Sequence, residues 1–267
     1  MKRGWALGLS LLIFSGLGAD WAPDFLIIGA QKAGTTALNQ YINQHPLAQS
    51  PTKEVHFFDE AFKKGVAWYE QQFPAKPSED FICGDKSPFY MYHPIVPERV
   101  YSLYPQMKLI VILRDPADRA YSQYQMCCRW NQETRSFKEA IEEEPFLMEG
   151  KLEKFYKNPD YRNNDFRHKC YLARSRYAEQ LERWFQYFPK EQFLIITGEE
   201  LRAFPQETMD KVFSFLGVES HSIKVKGSDK STNYTPMDPE IRKALKAYFK
   251  PYNFDLERLL KRKFAWD

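Results

Sequence analysis

The feature that most constrains this chain is an apolar run that leads directly into a glycine-rich loop. Residues 25–30 read FLIIGA, and the overlapping residues 29–36 read GAQKAGTT. A short apolar run that ends in glycine is typical of a buried parallel strand, and residues 37–42 are predicted to form the next helix. Backbone N–H groups at a strand–loop–helix junction converge on an anion, and the helix N-terminus adds partial positive charge. The segment therefore predicts a phosphate-binding loop.

Two further apolar runs indicate that the first strand belongs to a parallel sheet. Residues 108–113 read KLIVIL and residues 192–197 read QFLIIT, which suits buried strands. Residues 178–187 and 207–216 carry apolar side chains at helical spacing, and Gly217 is placed to end the second helix. Strands that alternate with helices predict an α/β fold. We expect a single domain with a P-loop-like parallel sheet flanked by helices.

Composition limits the class of protein. A chain of 267 residues with 16% aromatic and 27% charged residues fits one packed globular domain. The net charge of +3 is mild, so no nucleic-acid partner is expected. The four cysteines lack the spacing of a metal site, so no metal ligand is expected, and their disulfide state stays open: Cys83, Cys127, Cys128 and Cys170.

The N-terminal residues 1–22 form a hydrophobic segment that differs from residues 23–267. Lys2 and Arg3 precede an apolar stretch at 5–19, a pattern typical of a signal peptide or a short anchor. Such a segment would contact a membrane. The alternative is that it belongs to the fold, because the first predicted strand begins only a few residues later. Both interpretations stay open.

The stretch at 136–169 is rich in charge, with three consecutive glutamates at 142–144, and has no steady periodicity. We predict helix plus a mobile excursion outside the core. No linker that would divide the chain into two domains is recognisable.

The position of the lysine in the phosphate-binding loop decides which chemistry the loop supports. A P-loop kinase or ATPase carries lysine and then serine or threonine after the last loop glycine. Here Thr35 and Thr36 follow Gly34, and the lysine lies inside the loop at Lys32. This arrangement disfavours a kinase. It suits transfer of a sulfuryl group, which carries one negative charge fewer than a terminal phosphoryl group. Considered alone, Lys32 could equally be a solvated loop lysine.

A second polar segment follows the predicted strand at 108–113. Residues 113–124 read LRDPADRAYSQY, so Arg114 leaves the C-terminal edge of the strand, where ligands of open α/β sheets bind. Arginine offers a planar fork of donors suited to phosphate, and the Ser122 hydroxyl on the following helix completes such a pocket. These residues fit a nucleotide with a 3′-phosphate. The alternative is a structural turn at Arg114, with Pro116 as the first helical residue.

In combination, these segments resemble the sulfotransferases that use 3′-phosphoadenylyl sulfate (PAPS). QKAGTT (31–36) and LRDPADRAYSQY look like the two PAPS-binding signatures of that family. KEVHFFDE (53–60) and GDKSPFYMYHPIVPERV (84–100) are similar to its heparan sulfate branch, particularly the glucosaminyl 3-O-sulfotransferases, and to bacterial relatives. KRKFAWD (261–267) also resembles the family. The resemblance implies transfer of the sulfuryl group of PAPS, without a metal, to a hydroxyl or amine of a carbohydrate or glycolipid acceptor.

The resemblance also implies roles for individual residues. The residues that match the 5′-phosphosulfate loop are Lys32, Ala33, Gly34, Thr35 and Thr36. Those that match the 3′-phosphate site are Arg114 and Ser122. Those that match catalytic positions are Glu54, as the base, with Lys32 and Lys86. The positions near the acceptor are His56, Asp59 and Lys86.

Two departures from the family pattern concern a late loop and the cysteines. The loop at 230–236, KSTNYTP, lacks the arginine expected there, so Lys230 and Asn233 are its candidate nucleotide ligands. The disulfide-bearing hairpin of the animal enzymes has no recognisable counterpart. These departures favour a bacterial-type relative, which would be cytoplasmic, whereas residues 5–19 would anchor a membrane-bound enzyme. The alternative functions are a nucleotide- or glycan-binding module without catalysis and a P-loop kinase.

Physical chemistry supports the assigned base and leaves structural alternatives open. A hydroxyl that attacks sulfur must lose its proton, and a carboxylate such as Glu54 accepts it when within hydrogen-bond reach. The alternatives are a surface glutamate at Glu54 and a core histidine at His56. For Lys86 the alternative is a weak surface ion pair with Asp85.

Overall fold

The computed structural model describes residues 22–225 and 234–266 and shows one α/β domain built on a parallel sheet. The five strands are β1 (Phe25–Gly29), β2 (Ala48–Gln49), β3 (Ile82–Lys86), β4 (Lys108–Leu113) and β5 (Phe193–Thr197). They pair in the order β2-β3-β1-β4-β5, and every pair is parallel. The predicted fold class is confirmed, and the predicted strands correspond to β1, β4 and β5.

Helices connect and flank the strands. In chain order they are α1 (Thr35–Ile42), α2 (Val66–Glu70), α3 (Val96–Leu103), α4 (Pro116–Arg129), α5 (Phe137–Met148), α6 (Lys151–Lys157), α7 (Asn164–His168), α8 (Tyr177–Phe185), α9 (Gly198–Ala203), α10 (Pro205–Leu216) and α11 (Pro239–Leu260). The predicted helices correspond to α1, α8 and α10. Gly217 ends α10 with φ 86°, the left-handed conformation expected of a C-terminal cap.

Strand β1 lies where the direction of the chain across the sheet reverses. After β1 the chain forms β2 and β3 on one side of it, and then returns to form β4 and β5 on the other side. Every residue of β1 is buried, as expected for a central strand of a parallel sheet. The carboxyl end of β1 is therefore a topological switch point, where ligands of open α/β sheets bind.

The sequence patterns do not predict β2 or β3. Strand β2 has only two residues, and β3 reads ICGDK, so it ends in charged residues instead of an apolar run. Its glycine is required by packing, because a Cβ at Gly84 would overlap the ring of Phe25. Strand β3 matters for the site because it carries Asp85 and Lys86 to the carboxyl edge of the sheet.

The prediction for residues 136–169 is wrong in one respect. The stretch is helical, and α5 begins with a capping box in which the Ser136 side chain accepts a hydrogen bond from the third residue of the helix. However, Phe137 is buried in one apolar cluster, and Phe155 and Phe166 are buried in another. These side chains belong to the core and not to an excursion outside it.

Residues 1–21 lie outside the described part of the chain, so the signal or anchor interpretation of residues 5–19 stays a prediction. Within residues 22–225 and 234–266, no helix combines the length and the apolar character needed to cross a membrane. The cysteines are free thiols, and all except Cys128 are buried.

Candidate active site

The predicted phosphate-binding loop connects β1 to α1 at the switch point. The Ala30 N–H donates to the Ile112 carbonyl of β4 (2.7 Å), and the Ala33 N–H returns to the Ala30 carbonyl (3.1 Å). Gly34 then turns the chain with φ 121°, a conformation that residues with side chains rarely adopt. The loop is thus fixed against both the neighbouring strand and itself.

Helix α1 begins with the two threonines of the loop motif, of which Thr35 is buried and Thr36 is exposed. The N–H groups in the first turn of a helix have no carbonyl partner within it, and Gly34 at the N-cap position has no side chain to occupy them. The start of α1 therefore offers donors and partial positive charge to an anion.

Arg114 lies directly against this loop. It follows the last residue of β4, and its Nη1 donates to the Lys32 carbonyl at 3.1 Å, while the Tyr177 hydroxyl donates to the Arg114 carbonyl at 2.9 Å. The buried Nε–H of Arg114 finds no acceptor among the described residues. An additional anion would satisfy this donor.

A second arginine, which sequence reasoning missed, supports the same loop. Arg119 on α4 is fully buried, and its Nη1 lies 3.5 Å from the Gln31 carbonyl. Its other donors bind Ser175 Oγ (2.5 Å) and the Tyr171 carbonyl (2.5 Å). Arg114 therefore binds the Lys32 carbonyl, while Arg119, whose Nη1 also donates to Gln123 Oε1 (2.8 Å), lies beside the preceding carbonyl of the loop. The sequence gives no signal for this role, because Arg119 lies inside a predicted helix.

The loop lysine lies among positive charges. Burial lowers the pKa of Lys32, and the charges of Arg129 and Arg114 lower it further, with a smaller effect of Arg119. Like charges this close repel one another unless an anion neutralises them. The observed charge distribution fits a multiply charged anion such as a nucleotide with two phosphate groups.

The remaining predicted nucleotide ligands have different outcomes. Ser122 is buried in the middle of α4, beyond Arg114 in the chain. Ala33 is buried in the loop. Lys230 and Asn233 lie outside the described residues, so their assignment stays a prediction.

The predicted acceptor-side residues come together in one hydrogen-bonded cluster. Glu54 contacts Lys86 Nζ through Oε1 (3.1 Å) and His56 Nε2 through Oε2 (3.0 Å). His56 Nδ1 lies 2.8 Å from Asp59 Oδ2. Lys86 is buried and pairs with Glu54, so the alternative of a surface ion pair between Lys86 and Asp85 is wrong.

The charges in this cluster stabilise one another. Burial alone would raise the pKa of Glu54, but the hydrogen bond from His56 and the charge of Lys86 hold it at about 2. Burial alone would lower the pKa of His56, but its hydrogen bonds to Asp59 and Glu54 raise it to about 9. Near neutral pH the cluster therefore contains a glutamate carboxylate between two cations, Lys86 and imidazolium.

Arg167 also contacts the cluster and was not predicted. It lies on α7, where its Nη2 is 3.2 Å from His56 Nε2 and its guanidinium pairs with Glu60. Its positive charge opposes protonation of His56. Arg167 belongs to the charged stretch at 136–169, whose sequence carries no motif, so no signal could have identified it.

The register of the sheet brings the cluster and the phosphate-binding loop to one edge. Lys86 of β3 pairs with Ile27 of β1, and on the other side Gly29 of β1 pairs with Val111 of β4. The loop begins directly after Gly29. The arrangement can hold an anionic donor at the loop and a hydroxyl or amine beside the Glu54 carboxylate.

Comparisons with known proteins agree with this chemistry. The sulfotransferase domain model matches residues 22–249. The chain is 35% identical over 281 residues to bifunctional heparan sulfate N-deacetylase/N-sulfotransferase 3 of Mus musculus, covering 91% of this chain and 30% of that protein. It is 29% identical over 268 residues to heparan sulfate glucosamine 3-O-sulfotransferase 5 of Mus musculus, covering 91% and 74%. A crystal structure of a sulfotransferase from Alicyclobacillus acidocaldarius superposes with a TM-score of 0.72 at 30% identity, covering 92% of this chain and 98% of that one.

These matches confirm the predicted resemblance and add N-sulfotransferases to the 3-O-sulfotransferases that the sequence motifs suggested. The chain spans about 30% of the length of the N-deacetylase/N-sulfotransferases that it matches. It spans nearly the whole of the bacterial sulfotransferase. Because the family model covers most of its residues, the chain belongs to the sulfotransferase domain family.

Proposed function

We propose that the chain transfers the sulfuryl group of PAPS to a hydroxyl or amine of a carbohydrate acceptor. The observation that carries the proposal is the hydrogen bond from Arg114 to the Lys32 carbonyl at 3.1 Å, which joins the two predicted anion-binding segments. Adjacent anion sites at one sheet edge fit a nucleotide with phosphate groups on both its 5′ and 3′ sides. The residues proposed to bind PAPS are Lys32, Ala33, Gly34, Thr35, Thr36, Arg114, Ser122, Lys230 and Asn233.

In the proposed step, the acceptor oxygen or nitrogen forms a bond to sulfur. The bond between sulfur and the bridging oxygen of the 5′-phosphosulfate breaks, and its electron pair stays on the leaving phosphate. Lys32 and the N–H groups at the start of α1 would stabilise the negative charge that develops there, which is usually the largest contribution to such catalysis. Because the sulfuryl group carries less charge than a phosphoryl group, we propose that no metal is needed.

The proton of the acceptor is proposed to pass to Glu54. This carboxylate is ionised at neutral pH, but its pKa of about 2 makes it a weak base while both cations contact it. Movement of Lys86 from Glu54 to the transferring group would remove one of these cations and raise the pKa of Glu54. His56, between Glu54 and Asp59, would keep the carboxylate oriented toward the acceptor.

A carbohydrate is the favoured acceptor because the relatives are named for heparan sulfate. Their names specify N-sulfation in one group and 3-O-sulfation of glucosamine in another, so we keep both an amine and a hydroxyl as possible acceptor groups. A glycolipid remains the alternative acceptor. The choice depends on the surface around Glu54, His56 and Arg167, since loops shape acceptor grooves.

Two measurements test the proposal. In thermal-shift experiments, adenosine 3′,5′-bisphosphate should stabilise the protein more than 5′-AMP at equal concentration, and equal stabilisation would contradict the 3′-phosphate site. Transfer of labelled sulfate from PAPS to a panel of glycans, glycolipids and phenols should survive chelation by EDTA. Binding without transfer to any acceptor would favour a binding module, and metal-dependent ATP turnover would favour a kinase.

A further inference from the structure

A buried carboxylate beneath the candidate acceptor cluster has no role in the step described above. Asp85 is the residue before Lys86 on β3, and it is 0% exposed. Its Oδ1 accepts a hydrogen bond from Ser87 Oγ (2.8 Å), and its Oδ2 accepts one from the Tyr90 hydroxyl (2.8 Å) and one from the Tyr69 hydroxyl (3.1 Å). A carboxylate that accepts three donors, instead of pairing with the adjacent lysine, needs an explanation.

Two of these hydroxyls also bind the backbone that carries His56. Ser87 Oγ accepts the His56 N–H (3.1 Å), and the Tyr90 hydroxyl accepts the Phe57 N–H (2.8 Å). The Phe58 N–H lies 3.4 Å from the same Tyr90 oxygen. Each hydroxyl thus accepts a hydrogen bond from a backbone N–H and donates one to Asp85. Both pairs of hydrogen bonds therefore link the backbone to the carboxylate.

The backbone held in this way has an unusual conformation. His56 has φ 52° and ψ 37°, in the left-handed region that residues with a Cβ seldom occupy, and a π-helical turn at Phe57–Ala61 follows directly. This conformation directs the imidazole so that one nitrogen meets Glu54 and the other meets Asp59. Burial raises the pKa of Asp85 to about 6, although its hydrogen bonds to Tyr90 and Ser87 oppose the rise, so the carboxylate form prevails above neutral pH.

We propose that Asp85 is a positioning residue for the acceptor cluster. Through Ser87 and Tyr90 it fixes the left-handed backbone conformation at His56. That conformation then holds the imidazole between Glu54 and Asp59. The inference rests on the proposed function for its effect on activity, but the contacts of the His56 ring can be probed by NMR titration without any activity.

The chain provides a matched pair of variants for the test. Tyr69 and Tyr90 are both fully buried and both donate to Asp85 Oδ2, but among the hydrogen bonds described only Tyr90 also binds the turn. We expect Tyr90→Phe to lower kcat for sulfate transfer by about 100-fold at saturating PAPS and acceptor, since small displacements of catalytic groups have effects of that size. The kcat of Tyr69→Phe should stay within about 3-fold of wild type, because loss of the Tyr69 hydroxyl removes no hydrogen bond to the turn. The affinity of both variants for adenosine 3′,5′-bisphosphate should equal that of wild type.

Two further variants keep the proposal testable if Tyr90→Phe fails to fold. Ser87→Ala removes the acceptor of the His56 N–H together with one hydrogen bond to Asp85, and Asp85→Asn replaces one accepting oxygen by a donor. Both variants should lower kcat without weakening bisphosphate binding. An NMR titration of His56 should show a changed pKa in Tyr90→Phe and an unchanged one in Tyr69→Phe. Equal effects of the two tyrosine substitutions on both kcat and the titration would overturn the proposal. A wild-type protein that transfers no sulfate would contradict the proposed function, and the titration would still decide the role of Asp85.

Discussion

Arg114 Nη1 donates a hydrogen bond to the main-chain carbonyl of Lys32 at 3.1 Å. Arg114 follows β4 and Lys32 follows β1, so the bond connects segments that are far apart in the sequence and neighbouring in the sheet. A ligand that engages the Arg114 guanidinium therefore also acts on the backbone of the phosphate-binding loop. The 5′ and 3′ phosphate groups of one nucleotide would therefore bind two segments that this hydrogen bond joins.

The first prediction concerns the contribution of Arg114 to nucleotide binding. Arg114→Ala should raise the Kd for adenosine 3′,5′-bisphosphate by roughly 10- to 150-fold, because a hydrogen bond to a charged group contributes about 1.5–3 kcal/mol. The Kd for 5′-AMP should change much less. Isothermal titration calorimetry with both nucleotides measures the difference.

Arg258→Ala provides the control for this experiment, since it removes an equal charge from an exposed position on α11. It should leave both Kd values unchanged at fixed salt. If Arg114→Ala weakens the binding of both nucleotides equally, Arg114 supports the loop and does not recognise the 3′-phosphate.

The second prediction concerns the base. Glu54→Gln should lower the rate of sulfate transfer by about 10²- to 10⁴-fold, because the amide cannot accept the acceptor proton. Bisphosphate affinity should stay within about 2-fold of wild type if Glu54 acts only in proton transfer. Glu79→Gln, at an exposed position, is the control and should retain full activity. Undiminished transfer by Glu54→Gln would exclude it as the base.

The third prediction concerns the dependence of stability on pH. The pKa of His56 is raised from its usual value near 6.5 to about 9 in the folded protein. Between these values the folded state binds more protons than the unfolded state, so the free energy of unfolding falls as the pH rises. The contribution of His56 is therefore complete below pH 6.5 and lost as the pH passes about 9.

Urea unfolding at pH 6, 7.5 and 9.5 measures this dependence. From pH 6 to pH 9.5 the free energy of unfolding of the wild type should fall by on the order of 1–3 kcal/mol more than that of His56→Gln. The comparison with the variant removes the contribution of other groups that titrate in the same interval. Parallel curves for the two proteins would show that the carboxylates do not hold a proton on His56.

The fourth prediction concerns Arg167, whose charge faces the imidazole of His56. Arg167→Met should raise the pKa of His56 further, by about one unit or more, because unit charges at this separation interact by about 1–4 kcal/mol. NMR titration of the imidazole measures the shift. Arg162→Met is the control, since Arg162 contacts the Glu60 carbonyl on the same side of the cluster without a described contact to His56. A larger shift in the control would contradict the assigned role of Arg167.

Local patterns were sufficient to predict the elements that build the phosphate site. Strands β1, β4 and β5 each contain an apolar run, and the glycines of the loop specify a turn that only a few residue types can form. These features depend on neighbours in the sequence, so the sequence displays them directly. The pairing of Glu54 with Lys86 is different, because the two residues are 32 positions apart and were brought together only by resemblance to a family.

The residues that no pattern predicted reach the site through tertiary contacts. Arg167 meets His56 across 111 positions, from a stretch whose charges look like a solvated surface. In the sequence, Arg119 resembles any other helical arginine. Only the structure shows that it binds Ser175 and the Tyr171 carbonyl. The sequence suggests nothing for Asp85 beyond the alternative of a surface ion pair with Lys86, and only the three-dimensional structure shows the hydroxyl groups that bind it.

The last prediction concerns the contact between α9 and the phosphate-binding loop. Gly198 is buried at the start of α9, and a Cβ built on it would overlap the Ala33 carbonyl oxygen. Because Ala33 lies between Lys32 and Gly34, a methyl group at position 198 must displace the backbone that we propose to bind the 5′-phosphosulfate. Gly198→Ala should therefore destabilise the protein by about 1–3 kcal/mol, as for other overpacked sites, and weaken bisphosphate binding by at least about 10-fold.

Gly150→Ala separates these two effects. Gly150 has a positive φ (64°), which Gly198 does not, and a Cβ there would meet only the Glu153 side chain, at 3.6 Å. It should lower the free energy of unfolding by about 1 kcal/mol through backbone strain and leave bisphosphate affinity unchanged. Calorimetric Kd values and urea unfolding of both variants provide the comparison. Wild-type affinity in a folded Gly198→Ala protein would show that the loop tolerates displacement, and that its contact with α9 does not set the geometry of the anion site.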